Sequence, residues 1–324
     1  MNPNAYLVKD ILKLEQKATR DGYGDGLVLV GEKNKDVVVL CADLTESTRS
    51  LAFQKKFPKR FVELGVAEQN LASVAAGMAV AGKIPFISSY ATFSPGRNNE
   101  QIRTTICYNE ANVKIAGAHA GISVGPDGAT HQALEDIGLM RMMPNMTVVV
   151  PCDYEEAKKA TVSAAEIVGP IYLRFTREKG AMITTNHTPF KIGRAEVFKD
   201  GSDVVIFGCG PLIYNAIKVA LELEKERISV AVVNVHTIKP LDKDTILKYV
   251  HNTRAVVSVE EHQIYGGLGS AIAELLAKEM PVPMEFIGVD DRFGESGKPE
   301  ELIEKYGMGV ESIKKAVRKV LSRK

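Results

Sequence analysis

The sequence lacks several features that would assign it to a particular class of protein. Its four cysteines are scattered along 324 residues with no Cys-x-x-Cys pair, which argues against a disulfide framework or a zinc site. Lys and Arg number 41 against 40 Asp and Glu, a formal net charge of +1. Such a balance gives no electrostatic footprint for nucleic acid or an anionic membrane surface. We therefore expect reduced, buried thiols and neither a nucleic-acid nor a membrane partner.

Targeting and membrane-spanning segments are also missing from the sequence. The first residues, Met-Asn-Pro-Asn-Ala-Tyr, contain no basic region followed by an apolar core, so no secretory signal is expected. No apolar run approaches the ~20 residues that a bilayer-spanning helix needs. The expectation is a cytoplasmic protein.

What the sequence does contain is a long alternation of apolar runs and helix-like stretches. The alternation predicts an α/β fold with mainly parallel sheets flanked by helices. It lapses after residue 177 and resumes near residue 193, which predicts two consecutive domains of residues 1–180 and 193–324 joined by a linker at 181–192. The predicted strands of the first domain include residues 36–41, 61–64, 84–88, 112–117 and 146–150, and a helix is predicted over residues 98–108. Residues 310–324 are predicted to form a closing helix with one apolar face made of Ile313, Val317, Val320 and Leu321.

Polar and aromatic side chains follow four successive strands of the first domain. Asp43 and Ser47 follow the predicted strand at residues 36–41, and Glu68 follows the one at 61–64. Tyr90 and Phe93 follow the strand at residues 84–88, and His119 and His131 follow the one at 112–117. Because ligands of parallel sheets bind beyond the carboxyl ends of the strands, these side chains predict a binding site. Glu68 alone is better explained as an acid that stabilises the start of a helix, but it could also be a buried carboxylic acid that takes part in chemistry.

The segment around Glu68 resembles that of the transketolase family. Residues 63–70, Glu-Leu-Gly-Val-Ala-Glu-Gln-Asn, match the family's glutamate motif. The resemblance implies that Glu68 hydrogen-bonds the N1′ atom of thiamine diphosphate and promotes its amino–imino tautomerisation. The segment Tyr-Ala-Thr-Phe at residues 90–93 resembles the family's aromatic segment, which implies that Phe93 stacks on the pyrimidine ring with Tyr90 beside it. The cofactor would supply the carbon chemistry.

Further segments resemble the family in the same order along the chain. Ala-Asp-Leu-Thr-Glu-Ser at residues 42–47 implies a role in the cofactor pocket for Asp43 and Leu44, and a role in binding substrate phosphate for Ser47. By the same resemblance Arg20 and Arg177 also bind that phosphate. A guanidinium group, with its fork of donors, suits a phosphate.

The loop from His119 to His131 resembles the family most specifically. His119, Asp127 and His131 have the spacing of its His-x₇-Asp-Gly-x-Thr-His motif. The resemblance implies that His119 binds the substrate phosphate, Asp127 a sugar hydroxyl, and His131 the carbonyl and C1 hydroxyl side. It also makes both histidines candidate catalytic groups. Two histidines and an aspartate could instead form a metal site, but a His-x₃-His pair and a third close ligand are absent, so no metal site is predicted on this chain.

The diphosphate end of the cofactor has no visible ligands in the sequence. Gly24-Asp-Gly26 imitates the family's diphosphate motif, but it falls within a predicted helix and no asparagine follows at the required spacing. The resemblance covers the family's pyrimidine-binding domain and its C-terminal domain but not its diphosphate-binding domain, which implies the C-terminal subunit of a split transketolase. We therefore expect Mg²⁺ and the diphosphate to be held by a separate N-terminal transketolase subunit. The expected assembly is α₂β₂, or a β₂ dimer of this chain alone. The reaction implied is transfer of a two-carbon ketol unit from a ketose phosphate to an aldose phosphate.

Three alternatives remain open at the level of sequence. The chain could be the β subunit of a 2-oxo acid dehydrogenase, a fragment of a 1-deoxyxylulose-5-phosphate synthase, or a catalytically inactive scaffold or regulatory subunit. The first is disfavoured by Ser47, Arg177 and the loop at residues 119–131, because an enzyme that acts on 2-oxo acids needs no residues to bind a sugar phosphate. Two glycine-containing segments of the second domain, residues 260–269 and 288–297, have no predicted chemistry and are expected to be structural.

Overall fold

The fold is two consecutive α/β domains, as predicted. A computed structural model describes all residues 1–324, and each domain has its own sheet with helices on both faces. The first sheet has seven strands in the order β12-β6-β7-β5-β4-β2-β3, and the second has five in the order β14-β13-β10-β11-β9. The strands are β1 (Gln16–Ala18), β2 (Val37–Cys41), β3 (Phe61–Glu63), β4 (Ile84–Tyr90), β5 (Lys114–Ala118), β6 (Thr147–Val149), β7 (Ile171–Arg174), β8 (Lys179–Ala181), β9 (Glu196–Lys199), β10 (Val204–Gly208), β11 (Val230–Asn234), β12 (Thr237–Lys239), β13 (Val256–Gln263) and β14 (Met284–Val289).

The helices fill the connections between these strands. None of them is long and apolar enough to cross a membrane. They are α1 (Thr19–Lys33), α2 (Leu51–Lys56), α3 (Glu68–Val80), α4 (Asn99–Gln101), α5 (Asp136–Met142), α6 (Tyr154–Glu166), α7 (Ile213–Glu224), α8 (Lys243–Thr253), α9 (Leu268–Glu279), α10 (Pro299–Lys305) and α11 (Val310–Leu321).

The central strands of the first sheet are buried on both faces and run parallel. Every residue of β2 is buried, as expected for a strand covered by helices on either side. In the register of the sheet, Cys41 lies opposite Ser88 and Glu63, and Tyr90 lies opposite Ala118. The carboxyl ends of these strands therefore meet along one edge, where the candidate site residues were expected.

The two domains share a continuous apolar core. One cluster of 37 buried residues contains Leu40 and Ile137 of the first domain together with Ala231 and Ile272 of the second. All four cysteines are free and buried, which confirms the prediction of reduced thiols. The predicted apolar face of the last helix is also confirmed, since Ile313, Val317 and Val320 are fully buried. The second domain therefore packs against the first through side chains that belong to both cores.

Three features differ from the sequence prediction. β12 follows residue 193, yet it pairs antiparallel with β6 at the edge of the first sheet. β1 and β8 form a small antiparallel sheet of their own. The single helix expected over residues 98–108 is the short α4 followed by a π-helix at Ile102–Cys107. Strands of three residues are too short for periodicity to reveal, and a π-turn widens the helix locally, which is common near functional sites.

Helix α1 crosses α6 so closely that glycine is required at the contact. A Cβ atom at Gly22 would lie 2.1 Å from the carbonyl oxygen of Tyr154, whereas a Cβ at Gly77 on α3 would meet nothing within 4 Å. We expect Gly22→Ala to lower the free energy of unfolding by about 1–3 kcal/mol, because backbone must shift to admit the methyl group. Gly77→Ala, the matched control, should raise it by up to about 1 kcal/mol, because alanine favours the helix. Chemical denaturation of the isolated chain measures both, and an equal effect at the two sites would contradict this packing.

Candidate active site

Three of the predicted phosphate-binding residues lie together at the carboxyl edge of the first sheet. Arg20 stands in the first turn of α1, and its Nη1 donates to the Ser47 carbonyl oxygen at 3.0 Å. The same nitrogen lies 3.2 Å from Nε2 of His119. His119 comes directly after β5, so a helix start and two strand ends supply this group. The structure thus brings residues separated by about a hundred positions into direct contact.

An aromatic row continues from this group across the edge of the sheet. The Tyr90 ring stacks on the His119 imidazole with centroids 3.9 Å apart, and it lies 6.0 Å from the Phe93 ring. The His131 ring stands edge-on to Phe93, with centroids 5.5 Å apart. These four side chains therefore form one contiguous surface that leads away from Arg20.

Glu68 lies at the far end of this row, and a residue that the sequence analysis missed is its partner. Glu68 is only 1% exposed at the start of α3, and its Oε2 lies 2.6 Å from Nη1 of Arg97. The Arg97 guanidinium also lies over the Phe93 ring, 4.6 Å from its centroid. The Asn98 side chain donates to the Glu68 carbonyl oxygen. An arginine four residues after Phe93 was the only signal in the sequence that could have revealed this contact.

The remaining predicted residues divide into two groups. Arg177 and Asp127 form an ion pair of 3.2 Å, and Arg177 also donates to the carbonyl oxygen of Val124 in the same loop. Asp43 and Leu44 lie in the turn after β2, where the Asp43 N–H donates to Glu63. They make no hydrogen bond to Glu68 or to the aromatic row, so the structure does not join them to the other candidates.

The charges around His119 determine its protonation state. Burial, followed by the positive charges of Arg20, Arg177 and Arg49, lowers the pKa of His119 to about 3. Because the neutral imidazole accepts from Arg20 at Nε2, its proton is assigned to Nδ1. That nitrogen is buried without a hydrogen-bond partner, as is Nε of Arg20. Unpaired buried donors are costly, so these two N–H groups favour a ligand that supplies acceptor oxygens.

A polar cavity of about 810 Å³ lies between the two domains, where Arg20 lines it and His119 does not. Arg20, Arg49 and Arg177 line it from the first domain, and Glu261 lines it from the second. Arg49 is paired with Asp21 at 2.6 Å. The cavity therefore presents several arginines, most of which already have a carboxylate partner.

The structure shows no group of three or more His, Cys, Asp or Glu side chains that could hold a metal ion. Gly24 and Gly26 lie inside α1, where added Cβ atoms would meet Arg49 and Thr161 at 2.7 Å. Their close packing explains these glycines, and the Gly-Asp-Gly sequence does not form a loop.

Comparison with known proteins identifies the family. The sequence profile described as the transketolase pyrimidine binding domain matches residues 15–181, and the profile of the transketolase C-terminal domain matches residues 193–313. The chain belongs to the transketolase family. The predicted resemblance to the C-terminal part of a split transketolase is thereby confirmed, and so are the two kinds of domain.

Relatives of similar length support the assignment. A putative transketolase C-terminal section of Methanocaldococcus jannaschii is 43% identical over 93% of this chain and 95% of its own length. A 6-deoxy-6-sulfo-D-fructose transketolase subunit of a Clostridium species is 38% identical over 97% of both chains. A solved structure described as a split gene transketolase, inactive β4 tetramer, is 46% identical and superposes with a TM-score of 0.89, covering 95% of this chain and 99% of that chain.

Proteins of the transketolase family use thiamine diphosphate, and the residues at one end of the site fit its pyrimidine ring. Glu68 offers a buried carboxylate, and the Arg97 guanidinium that pairs with it lies over the Phe93 ring. A carboxylate can hydrogen-bond a ring nitrogen, and an aromatic ring provides a stacking surface.

The contact between Glu68 and Arg97 can be tested by a double-mutant cycle. Arg97→Gln should lower the free energy of unfolding by about 1–3 kcal/mol, because it leaves a buried carboxylate without its counter-charge while Arg97 itself is about half exposed. In a Glu68→Gln background the same change should cost much less. Urea unfolding of the isolated chain measures the cycle. If the losses in unfolding free energy of the two single variants sum to that of the double variant within about 0.5 kcal/mol, the two side chains do not interact.

The neutrality of His119 gives a second measurable expectation. Since its pKa is about 3, the ring should remain uncharged throughout the range from pH 5 to 8. Its imidazole proton and nitrogen chemical shifts, assigned with a His119→Asn variant, should therefore not titrate over that range. A His119 signal that moves with a midpoint above pH 5 would show that burial and the neighbouring arginines do not lower the pKa of this ring.

Proposed function

We propose that this chain is the pyrimidine-binding subunit of a thiamine diphosphate-dependent transketolase that moves a two-carbon ketol unit from a ketose phosphate to an aldose phosphate. The observation that carries the proposal is the single surface that runs from the buried Glu68 carboxylate, past Phe93 and Tyr90, to the Arg20–His119 pair. One end of this surface suits an aminopyrimidine, and the other suits a phosphate.

In this proposal Glu68 is the group that acts on the cofactor. Its carboxylate would hold a proton shared with N1′ of the pyrimidine, and its burial would keep water from competing for that hydrogen bond. Thiamine diphosphate, when bound, supplies the carbanion chemistry of ketol transfer. The Arg97 guanidinium now covers both Glu68 and the face of Phe93, so it would have to move aside for the pyrimidine ring. Asp43 and Leu44 remain assigned to the cofactor pocket by resemblance alone.

The opposite end of the surface would bind and orient the sugar phosphate. Arg20, Ser47, His119 and Arg177 would hold the phosphate, with the unpaired N–H groups of Arg20 and His119 as donors. Asp127 would accept from a sugar hydroxyl. His131, next to Phe93, would contact the carbonyl and C1 hydroxyl side, where proton transfers occur.

We further propose that a separate chain completes the active site by supplying the diphosphate and Mg²⁺ ligands. This is supported by the similarity to transketolase C-terminal sections, and by the resemblance to a split gene transketolase whose β4 form is described as inactive. The working assembly would be α₂β₂, and this chain alone would have little or no activity. The domain limits of residues 1–180 and 193–324, with a linker at 181–192, are retained as part of the proposal.

Mutation of Glu68 in the reconstituted complex tests the proposal. With the diphosphate-binding partner, thiamine diphosphate and Mg²⁺, the wild-type chain should transfer ketol units from xylulose 5-phosphate. Glu68→Gln should lower kcat by at least about a hundredfold, because it removes the carboxylate that exchanges a proton with N1′. Glu166→Gln, on the exposed end of α6, is the matched control and should retain full activity.

Two outcomes would contradict the proposal. One is ketol transfer that persists in Glu68→Gln, and the other is full activity of this chain without a partner. Parallel assays with 6-deoxy-6-sulfofructose, with pyruvate plus an aldose phosphate, and with 2-oxo acids plus a dehydrogenase acceptor distinguish the related reactions. Turnover confined to the sulfonated sugar would replace the phosphate in the proposal with a sulfonate. Turnover confined to the 2-oxo acids would overturn the assignment of the sugar-phosphate residues.

A further inference from the structure

The loop at residues 119–131, which carries His119, Asp127 and His131, is packed largely against the second domain. Ile122 in this loop and Leu134 just after it belong to the apolar cluster formed mainly by β10, β11, β13, α7 and α11. The Gln263 N–H of β13 also donates to the Leu134 carbonyl oxygen at 2.8 Å. The first domain provides the strand that leads into the loop, but the second domain provides much of the surface on which it rests.

Glu261, in the β13 segment that had no predicted chemistry, contacts the loop backbone directly. Its Oε1 accepts from the Ser123 N–H at 2.6 Å. Gly121 has a φ of 91°, and a Cβ there would lie 2.3 Å from the same oxygen. The carboxylate therefore fits against the loop only because residue 121 is glycine. Glu261 is 5% exposed and burial raises its pKa, so it sits in a low-dielectric environment where this hydrogen bond is strong.

The turn at residues 294–297 holds the other side of the loop. The Gln132 side chain donates from Nε2 to the carbonyl oxygens of Ile122, at 3.1 Å, and Glu295, at 2.9 Å, so it ties the loop to the turn. A Cβ at Gly294 would lie 1.9 Å from Oε1 of Gln132, and a Cβ at Gly128 would lie 2.7 Å from the Ser296 hydroxyl. Gly294 in the turn and Gly128 in the loop thus permit the close approach of two segments that belong to different domains.

We propose that the second domain fixes the geometry of the substrate loop, with Glu261 as its principal positioning residue. By holding Ser123, Glu261 would set where His119 and Asp127 stand relative to Arg20. The effect on catalysis rests on the proposed function, whereas the loop contact itself does not. Since Glu68 lies on a different strand connection, loss of Glu261 should disturb sugar binding and leave the cofactor end of the site intact.

Glu261→Ala tests the proposal through two separate readouts. In the reconstituted holoenzyme we expect KM for the ketose phosphate to rise at least about tenfold, with an unchanged Kd for thiamine diphosphate, because a loop misplaced by even 1 Å weakens substrate positioning. In the isolated chain, amide hydrogen exchange at residues 119–131 should accelerate by about tenfold or more, because the Ser123 N–H loses its hydrogen-bond acceptor in a buried place. Glu261→Gln keeps an acceptor and should remain close to wild type in both readouts.

Glu260→Gln is the matched control, because Glu260 is equally buried but accepts from Leu268 and Gly269 at the start of α9. It should lower thermal stability without changing loop exchange or KM.

If Glu261→Ala does not fold, Gly294→Ala replaces it, since its methyl group displaces Gln132. Unchanged loop exchange and KM in a folded variant would overturn the proposal. A wild-type complex without ketol transfer would count against the proposed function, while the exchange measurement would still decide whether Glu261 holds the loop.

Discussion

The buried guanidinium of Arg174 is the interaction on which the arrangement of the two domains and the site depends. It donates to both carboxylate oxygens of Asp136, to the carbonyl oxygen of Ala133 and to that of Glu261 in the second domain. Burial alone would raise the pKa of Asp136, but Arg174 beside it holds that pKa below its usual value. A buried charge is tolerated only when its donors are satisfied. One cation therefore fixes α5, the end of the substrate loop and β13 relative to one another, so none of the three can move alone.

This constraint explains why the candidate site depends on a domain that contributes few of its functional side chains. Parallel strands place Glu68, Phe93 and His119 at one edge of the first sheet. The hydrogen bonds of the sheet stop where each strand ends, so they do not hold the loop that follows. The apolar contacts of Ile122 and the hydrogen bond from Ser123 to Glu261 supply that support from outside. Under the proposed function the site would hold a polyhydroxylated ligand at several points and would need such rigidity, because positioning is lost with small displacements.

The sequence predicted the parts of the structure that depend on local pattern and missed those that depend on distant partners. The strand-end positions of Glu68 and His119 could be predicted because parallel strands place their carboxyl ends together wherever else the chain goes. The pairing of Arg97 with Glu68 spans 29 residues and comes from the irregular turn that precedes α4, which no periodicity revealed. The turn at residues 294–297 was recognised by its glycines, but its bond to Gln132 spans 163 residues. Chemistry-bearing residues were thus easier to find than the residues that orient them.

The charges of the phosphate end imply an order in which contacts would form under the proposed function. Two of the three arginines there are already paired, Arg49 with Asp21 and Arg177 with Asp127. Arg20 has no carboxylate partner, and neutral His119 adds a hydrogen bond without adding charge. An incoming dianion would therefore meet Arg20 first and would have to compete with Asp127 for Arg177. Success in that competition would free the Asp127 carboxylate for a sugar hydroxyl. Binding of the anion and recognition of the sugar would then be coupled through one exposed ion pair, whose weakness is what permits the exchange.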